Sequence, residues 1–256
     1  MSATVISIMN WKGGVGKTST ALNLGYGLKE KGHKVLLLDL DGQANLSKVL
    51  PGYSKLPEYL PDIYVDDSLS LPIYEYRDNL HISPNHVTKE DKGKNHLVAD
   101  AYGILRLKSK IEEIENDYDF IILDCGPSFS IVQKNAMVAS DFILVPTELE
   151  NDSIDGLKEL QVQIDKIPKN FVGNLEVLGV VIFITRRQTN YSTVSRDYLS
   201  QVFKGYIFKS IIRESVSVKE SKTLKMSVLD NDPESRGALD FRSLTEEVLS
   251  KISSYE

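Results

Sequence analysis

A glycine-rich segment near the start of the chain, NWKGGVGKTST at residues 10–20, carries residue types that bind phosphate groups. Glycines let backbone N–H groups converge on an anion, and a helix that follows them directs its positive end to the same place. In such a loop Lys17 supplies a charge to the β- and γ-phosphates of a nucleotide and Thr18 offers a hydroxyl to Mg²⁺. The usual pattern has one lysine, and a glycine where this chain has Trp11, so the second lysine needs its own explanation. The candidate nucleotide-binding residues are Lys12, Gly13, Gly14, Val15, Gly16, Lys17, Thr18 and Ser19.

Three aspartates follow apolar segments and could hold Mg²⁺ beside that loop. Asp124 ends FIILD, while Asp39 and Asp41 end KVLLLDLDG with the i, i+2 spacing that points both side chains the same way on an extended segment. Aspartates at strand ends can instead cap helices or form turns. Three of them at the carboxyl ends of strands, where open α/β folds place their ligands, favour the metal-binding interpretation.

Apolar runs of strand length alternate with segments of helical period, which indicates βαβ units on a parallel sheet. The predicted strands are 5–9, 34–40, 120–124, 142–146, 175–185 and 206–209. The predicted helices are 18–31, 98–116, 129–139, 153–166, 191–203, 215–226 and 235–253. We therefore predict one α/β domain over residues 1–256, a P-loop NTPase with a mostly parallel, twisted sheet and helices on both faces. Residues 51–95 are rich in proline and poor in periodicity, so we expect an irregular surface region there.

The composition limits the classes of protein that the chain can belong to. With 256 residues and 41% hydrophobic residues, it can build a sizeable core. Its single cysteine, Cys125, excludes an intrachain disulfide framework and a metal site made of several thiolates. No window approaches the ~20 apolar residues of a membrane span, and the first residues do not resemble a signal peptide. We therefore expect a soluble, cytoplasmic protein.

Charge is distributed unevenly along the chain. The formal net charge is −6, yet residues 182–225 hold nine basic and three acidic residues, which leaves −12 for the remainder. A basic segment within an acidic chain is compatible with local binding to a polyanion, although it can also be an ordinary solvated surface.

Several segments together resemble one family, the ParA-type deviant Walker A ATPases, which include MinD. KGGVGKTST is similar to the family's phosphate loop, DLDGQANLS to its D-x-D-P-Q segment and IILDCGPS to its Walker B segment. The likeness continues through ILVPTELENDSIDGLKEL, IIRESVSVKES and LDFRSLTEEVL, so it spans nearly the whole chain. The chain departs from the family at Trp11, at Gly42 and at Gly126, where Gln or His, Pro, and Pro respectively are common. We expect no N-terminal domain that reads DNA bases, so the likeness is to the short ParA proteins.

The resemblance implies a slow ATPase that uses ATP and Mg²⁺ and works as an ATP-sandwich homodimer. Lys12 would then reach the partner's phosphates in trans while Lys17 acts in cis, which accounts for the second lysine. Asp41 would orient the attacking water, Asp39 would lie on the magnesium side with Thr18, and Asp124 would be the Walker B carboxylate. The implied catalytic residues are Lys12, Lys17 and Asp41; Asn45 falls in the same segment, and Pro233, with Thr185 and Arg186, is a candidate near the base.

The resemblance also implies non-specific DNA binding and transport of a cargo on the nucleoid. The cargo would be a plasmid, a chromosome or a protein organelle, and a ParB-like or other cargo-bound protein, together with DNA, would stimulate hydrolysis. We expect no membrane binding, because the stripe of Leu239, Leu244, Val248 and Ile252 near the end is more typical of core packing than of a lipid-binding helix. The candidate DNA-binding residues are Arg186, Arg187, Arg213, Lys219, Lys222 and Lys225.

Three other functions stay open on the sequence. A MinD-like protein would position itself on a membrane surface. A P-loop carboxylate ligase such as dethiobiotin synthetase would need a substrate pocket beside the phosphates, which residues 51–95 with His81 and His86 could house. A nucleotide-gated scaffold would turn over negligibly, and a partner would not raise its ATPase rate.

Overall fold

The computed structural model describes residues 2–64, 66–87, 103–128, 130–148, 160, 162–167, 173, 175–184 and 205–255. Its strands are β1 Thr4–Ile8, β2 Val35–Leu40, β3 Tyr74–Arg77, β4 Leu80–Ser83, β5 Phe120–Cys125, β6 Phe142–Glu148, β7 Glu176–Ile184 and β8 Ile207–Arg213. They form one sheet in the order β3-β4-β2-β5-β1-β6-β7-β8. Only the β3–β4 pair among these strands is antiparallel, which confirms the predicted α/β fold with a mostly parallel sheet.

The central strands are buried along their whole length, as their continuous apolar runs predict. Every residue of β2 and of β5 is buried. Alternate side chains of β1 enter two separate hydrophobic clusters, Ile6 and Ile8 on one side of the sheet and Val5 on the other. Since side chains alternate along a strand, each face of the sheet carries its own core.

Helices cover both faces, as predicted. The α-helices described over their whole length are α1 Lys17–Glu30, α2 Arg106–Glu112, α3 Ile131–Ala139, α4 Val216–Leu224, α5 Val228–Asn231 and α6 Arg236–Ile252. Short 3₁₀ helices span Ser47–Val49, Tyr53–Lys55, Leu60–Tyr64, Gly103–Leu105 and Glu115–Asp117. Leu24 of α1 and Phe241 of α6 pack in the first cluster, and Leu107 of α2 and Met137 of α3 in the second. None of the helices in the described ranges is both long and apolar enough to span a bilayer.

The segment 51–95, which the sequence predicts to be an irregular surface region, contains some regular structure. Its described part includes the hairpin β3–β4, turned at Asp78 and at Asn79, which has a left-handed φ of 59°. Each strand has only four residues, so the period-2 signal is too short to stand out between prolines. The hairpin extends the sheet beyond β2 by one parallel strand, β4, and one antiparallel edge strand, β3.

The remaining differences concern helix limits. The predicted helix 98–116 is broken in its described part: α2 ends at Glu112, and Ile114 has a φ of −128° before a 3₁₀ turn. The predicted helix 191–203 lies outside the described residues, and of 153–166 only residues 160 and 162–166 are described, as helix. The apolar stripe of α6 faces the core at Leu244, Val248 and Ile252, as predicted, but Leu239 is 54% exposed.

Candidate nucleotide site

The phosphate-binding loop lies between the carboxyl end of β1 and the start of α1 at Lys17. Gly14 and Gly16 have φ values of 83° and 98°, in the left-handed region that favours glycine. A Cβ on Gly16 would lie 2.6 Å from the Phe183 ring, so space as well as backbone conformation requires glycine there. No side chain therefore projects from the loop at Gly14 or Gly16. The loop leads directly into the positive, N-terminal end of a 14-residue helix.

The Lys17 side chain is held over this loop by the backbone of Lys12. Its Nζ donates a hydrogen bond to the Lys12 carbonyl at 3.0 Å, and the residue is only 8% exposed. Burial lowers the pKa of Lys17, and the charges of Asp124 and Asp41 offset part of that shift. A partly desolvated ammonium next to bare backbone N–H groups forms a strong site for a phosphate anion.

Two of the predicted aspartates are neighbours across the sheet. Asp39 of β2 pairs in register with Asp124 of β5, and both are fully buried. Neither carboxylate oxygen of Asp124 accepts a hydrogen bond from the residues that the structure describes. Burial, and then the charge of Asp39, raise the pKa of Asp124 well above its usual range, while the nearby Thr18 hydroxyl and Lys17 offset part of the rise. An unsatisfied buried carboxylate beside a threonine hydroxyl fits Mg²⁺, which prefers oxygen ligands.

Asp39 differs from Asp124 because its oxygens already have donors. Its Oδ2 accepts from Ser47 N at 2.8 Å and Ser47 Oγ at 2.6 Å, and its Oδ1 accepts from Asp41 N at 3.1 Å. Burial raises the pKa of Asp39 to about 6, against the lowering effect of these bonds. Direct ligation of Mg²⁺ by Asp39 therefore stays a prediction. The hydrogen bonds that join Asp39 to Asp41 and to Ser47 are present in the structure.

Asp41 lies on the open side of the site. Its Oδ1 accepts from Gln43 N at 3.0 Å, and its carbonyl accepts from Ala44 N at 2.8 Å, which closes a turn. Gly126 approaches closely, since a Cβ there would lie 3.3 Å from Asp41 Oδ1. Asp41 is thus positioned by its own loop and by the segment after β5.

Eight of the residues predicted for the nucleotide site line one cleft of about 420 Å³, whereas Lys12, Val15, Asp39 and Asp124 do not line it. Other residues that the sequence did not indicate for this site also line the cleft. They lie on the second turn of α1, shortly after Asn45 and at the end of α4. Pro233 does not line the cleft; it is exposed, and its carbonyl accepts from Arg242 Nη1. The cleft is lined by Gly13, Gly14, Gly16, Lys17, Thr18, Ser19, Leu22, Asn23, Asp41, Asn45, Lys48, Val49, Pro127, Ser221, Lys222, Lys225 and Met226.

The candidate DNA-binding residues fall into three groups in the structure. Arg186 and Arg187 lie outside the described residues. Arg213 forms a double hydrogen-bonded ion pair with Asp240, which is 5% exposed, and Lys219 pairs with Glu214 at 2.6 Å. Lys222 and Lys225 are exposed at the end of α4, on the wall of the cleft. The described part of the basic segment is therefore partly neutralised, and of its described basic residues Lys222 and Lys225 line the cleft.

The two histidines considered for a substrate pocket have other surroundings. His81 Nδ1 and the Tyr118 hydroxyl form a 2.8 Å hydrogen bond, and the His86 ring lies 4.9 Å from the Tyr59 ring. No residue of the described part of 51–95 lines the cleft. The hairpin region thus does not place a substrate pocket beside the phosphate loop.

We expect Asp124→Asn to stabilise the nucleotide-free protein while abolishing Mg²⁺-dependent hydrolysis. The amide removes a buried charge that repels Asp39, which should raise the melting temperature by about 2–4 °C for a gain of roughly 1 kcal/mol. Thermal unfolding in a chelating buffer, beside an ATPase assay, measures both effects. Asp39→Asn is the matched control and should give no such gain, because an amide cannot accept all three hydrogen bonds. A lower melting temperature for Asp124→Asn would contradict the assignment.

Comparison with known proteins finds relatives that match most of this chain. A family model described as an AAA domain matches residues 3–177. The sporulation initiation inhibitor protein Soj of Bacillus subtilis is 32% identical over 248 residues, covering 95% of this chain and 97% of Soj. The chromosome partitioning protein ParA of Caulobacter vibrioides is 30% identical over 255 residues, covering 96% of this chain and 94% of ParA.

Solved structures extend the comparison to bound nucleotides. The septum site-determining protein MinD of Pyrococcus horikoshii, complexed with Mg-ADP, has a TM-score of 0.77 at 28% identity, and the match covers 98% of each chain. Cobyrinic acid a,c-diamide synthase of Mycobacterium smegmatis, with an ATP analogue and magnesium, has a TM-score of 0.81 at 23% identity, covering 99% of this chain and 97% of that chain. At that identity the second likeness concerns the fold alone.

A glycine loop on a helix start, a buried lysine and carboxylates at the ends of parallel strands together define a P-loop ATPase. Within this class, the chain belongs to the ParA/MinD family, as the motifs predicted. The Mg-ADP in that MinD structure agrees with the ATP and Mg²⁺ that the motifs of this chain predict.

Proposed function

We propose that this protein is a slow, dimerising ATPase whose ATP-bound form binds DNA without sequence preference and positions a cargo on the nucleoid. The observation that carries the proposal is the lining of the cleft. Lys222 and Lys225 line the same cleft as the phosphate loop. A change at the nucleotide can therefore reach basic side chains directly. The relatives named for partition and sporulation control support a positioning role.

The backbone of Lys225 adds weight to this role. It has a left-handed φ of 55°, a conformation that disfavours a lysine by roughly 1–2 kcal/mol compared with glycine. The sequence nevertheless places an exposed cation at that turn. In a homodimer each such lysine occurs twice, so four charges would face the phosphates of one duplex, which suits weak, salt-sensitive binding.

Arg213 contributes to this surface in a different way. Its guanidinium neutralises the buried carboxylate of Asp240, so its loss would leave an unpaired charge in α6. Contact between Arg213 and DNA stays a prediction, as it does for Lys219, Arg186 and Arg187. We propose Lys222 and Lys225 as the principal DNA contacts, a ParB-like or other cargo-bound protein as the stimulating partner, and the cytoplasm as the location.

None of the three alternatives has comparable support in the described residues. Membrane positioning would need a free amphipathic helix, whereas Leu244, Val248 and Ile252 of α6 are buried against the sheet. Ligase chemistry would need a substrate pocket, and the described part of residues 51–95 lines none of the cleft. A scaffold without turnover is distinguished by whether DNA or a partner raises the ATPase rate.

We expect the double variant Lys222→Glu and Lys225→Glu to weaken DNA binding by roughly tenfold or more and to flatten its dependence on salt. Fluorescence anisotropy with a duplex of arbitrary sequence, a non-hydrolysable ATP analogue and several salt concentrations measures the change. Lys55→Glu with Lys166→Glu, two exposed lysines away from the cleft, alters the net charge equally and should bind DNA like wild type. Binding of a fluorescent ATP analogue must first be shown to be intact, because Lys222 and Lys225 border the nucleotide.

Unchanged DNA binding by the double variant would exclude these lysines as contacts. Wild-type protein that ignores DNA with the ATP analogue at low salt would overturn the DNA proposal as a whole, and vesicle binding would be the next assay.

A further inference from the structure

We infer that Ser47 is a positioning residue for ATP hydrolysis, whose hydroxyl fixes the loop that carries Asp41. The inference rests on the ATPase activity of the family and is independent of the proposed DNA binding. Ser47 is fully buried and does not line the cleft, so it acts through its neighbours.

Ser47 and Asp41 are both hydrogen-bonded to one carboxylate. Asp39 Oδ2 accepts from Ser47 Oγ at 2.6 Å and from Ser47 N at 2.8 Å, while Asp39 Oδ1 accepts from Asp41 N at 3.1 Å. The two ends of the segment 41–47 are therefore fastened to the same buried side chain, which itself belongs to the central strand β2.

The turn between Asp41 and Ser47 has a strained backbone, which these two attachments hold in place. Ala44 has a φ of 50°, a left-handed conformation that is unfavourable for a residue with a Cβ. Ala44 N bonds to the Asp41 carbonyl at 2.8 Å and Gln43 N to Asp41 Oδ1 at 3.0 Å, so the strained turn holds the Asp41 side chain. Strain of this kind persists only where the surroundings impose the conformation.

The same hydroxyl ties this loop to a second part of the sheet. Ser47 Oγ accepts from Asn85 N at 2.8 Å, just beyond the end of β4. The hydroxyl proton goes to Asp39 and a lone pair receives the Asn85 N–H, so both bonding directions are in use. Loss of the hydroxyl removes one of three donors from Asp39 and leaves the Asn85 N–H without its acceptor, which loosens the loop without touching the phosphate site.

A steady-state ATPase assay of Ser47→Ala, Ser47→Thr and wild type tests the inference. We expect kcat of Ser47→Ala to fall about tenfold with KM for ATP within roughly twofold, because an interaction with a charged group is lost outside the binding site. Ser47→Thr keeps the hydroxyl and should recover most of kcat. Ser68→Ala is the matched control: it removes an exposed serine-to-aspartate hydrogen bond of the same kind, Ser68 Oγ to Asp66 Oδ1 at 2.7 Å, and should behave as wild type.

A kcat of Ser47→Ala equal to that of Ser68→Ala overturns the inference, as does a loss that appears in KM alone or is not restored by threonine. If the alanine variant fails to fold by circular dichroism, Ser47→Cys replaces it, since a thiol fills the space but donates weakly; a wild-type kcat for the cysteine variant likewise overturns the inference. Absence of ATPase activity in wild type contradicts the ATPase assignment itself and so is distinguishable from these results.

Discussion

Lys12→Ala should lower kcat for ATP hydrolysis by about 10³-fold while leaving ATP affinity within a few-fold of wild type, since a cation supplied in trans acts on the transition state. Part of the loop around Lys12 is held by backbone hydrogen bonds that the substitution keeps. The hydrogen bonds recorded for Lys12 with Asn10 and Lys17 use its backbone, with Lys12 N bonding to Asn10 Oδ1 at 2.9 Å and the carbonyl accepting from Lys17 Nζ. Alanine preserves both contacts, so the loop should keep its shape.

Lys17→Ala provides the contrast for this prediction. Its ammonium is buried in the loop beside Asp124 and Asp41, so its loss should appear in nucleotide binding as well as in turnover. Calorimetric titration with ATP and a phosphate-release assay separate the two effects. Equal losses of ATP affinity in the two variants would show that both lysines act on the nucleotide of their own subunit.

Gly16→Ala should abolish nucleotide binding. The new Cβ would lie 2.6 Å from the Phe183 ring, a distance that real Cβ contacts do not tolerate, at a residue whose φ is 98°. Either the loop or the Phe183 ring on β7 must move, and the start of α1 moves with the loop. We expect ATP affinity to fall by more than about 10²-fold, because several backbone donors lose their common direction.

Gly32→Ala is the control for Gly16→Ala, because it introduces backbone strain without a steric conflict. Gly32 follows the other end of α1 with a φ of 92°, and no atom lies within 4 Å of a Cβ built there. It should cost about 1 kcal/mol of stability through its backbone and leave ATP binding unchanged. Similar ATP affinities for the two variants would mean that contact with Phe183 does not shape the phosphate loop.

Much of the fold is readable from the sequence because its signals are local. The predicted limits of β2, β5, α3, α4 and α6 lie within a few residues of those in the structure. The phosphate loop is equally local, since its glycines, Lys17 and Thr18 are contiguous. The pairing of Asp39 with Asp124 follows once β2 and β5 are neighbours, although strand order itself was not predicted.

The rest depends on contacts between residues far apart in the chain. Nothing near Arg213 indicates its pairing with Asp240, so a basic residue chosen for DNA binding proved to have a buried partner. The same holds for Ser47, whose bond to Asn85 joins residues 38 positions apart. The approach of α4 to the phosphate loop could not be inferred from helical periodicity, which gives a helix its faces but not its neighbours.

The most direct test of an active site shared between two copies is a mixing experiment with two inactive variants, Lys12→Ala and Asp41→Ala. If Lys12 acts in trans, a mixed dimer contains one complete site: Asp41 from the first variant and Lys12 from the second. An equimolar mixture should then recover up to about a quarter of the wild-type ATPase rate, since half of the dimers are mixed and each has one working site. If each subunit uses its own Lys12, every site in the mixture lacks one of the two residues, and a rate no higher than that of the separate variants would contradict the account.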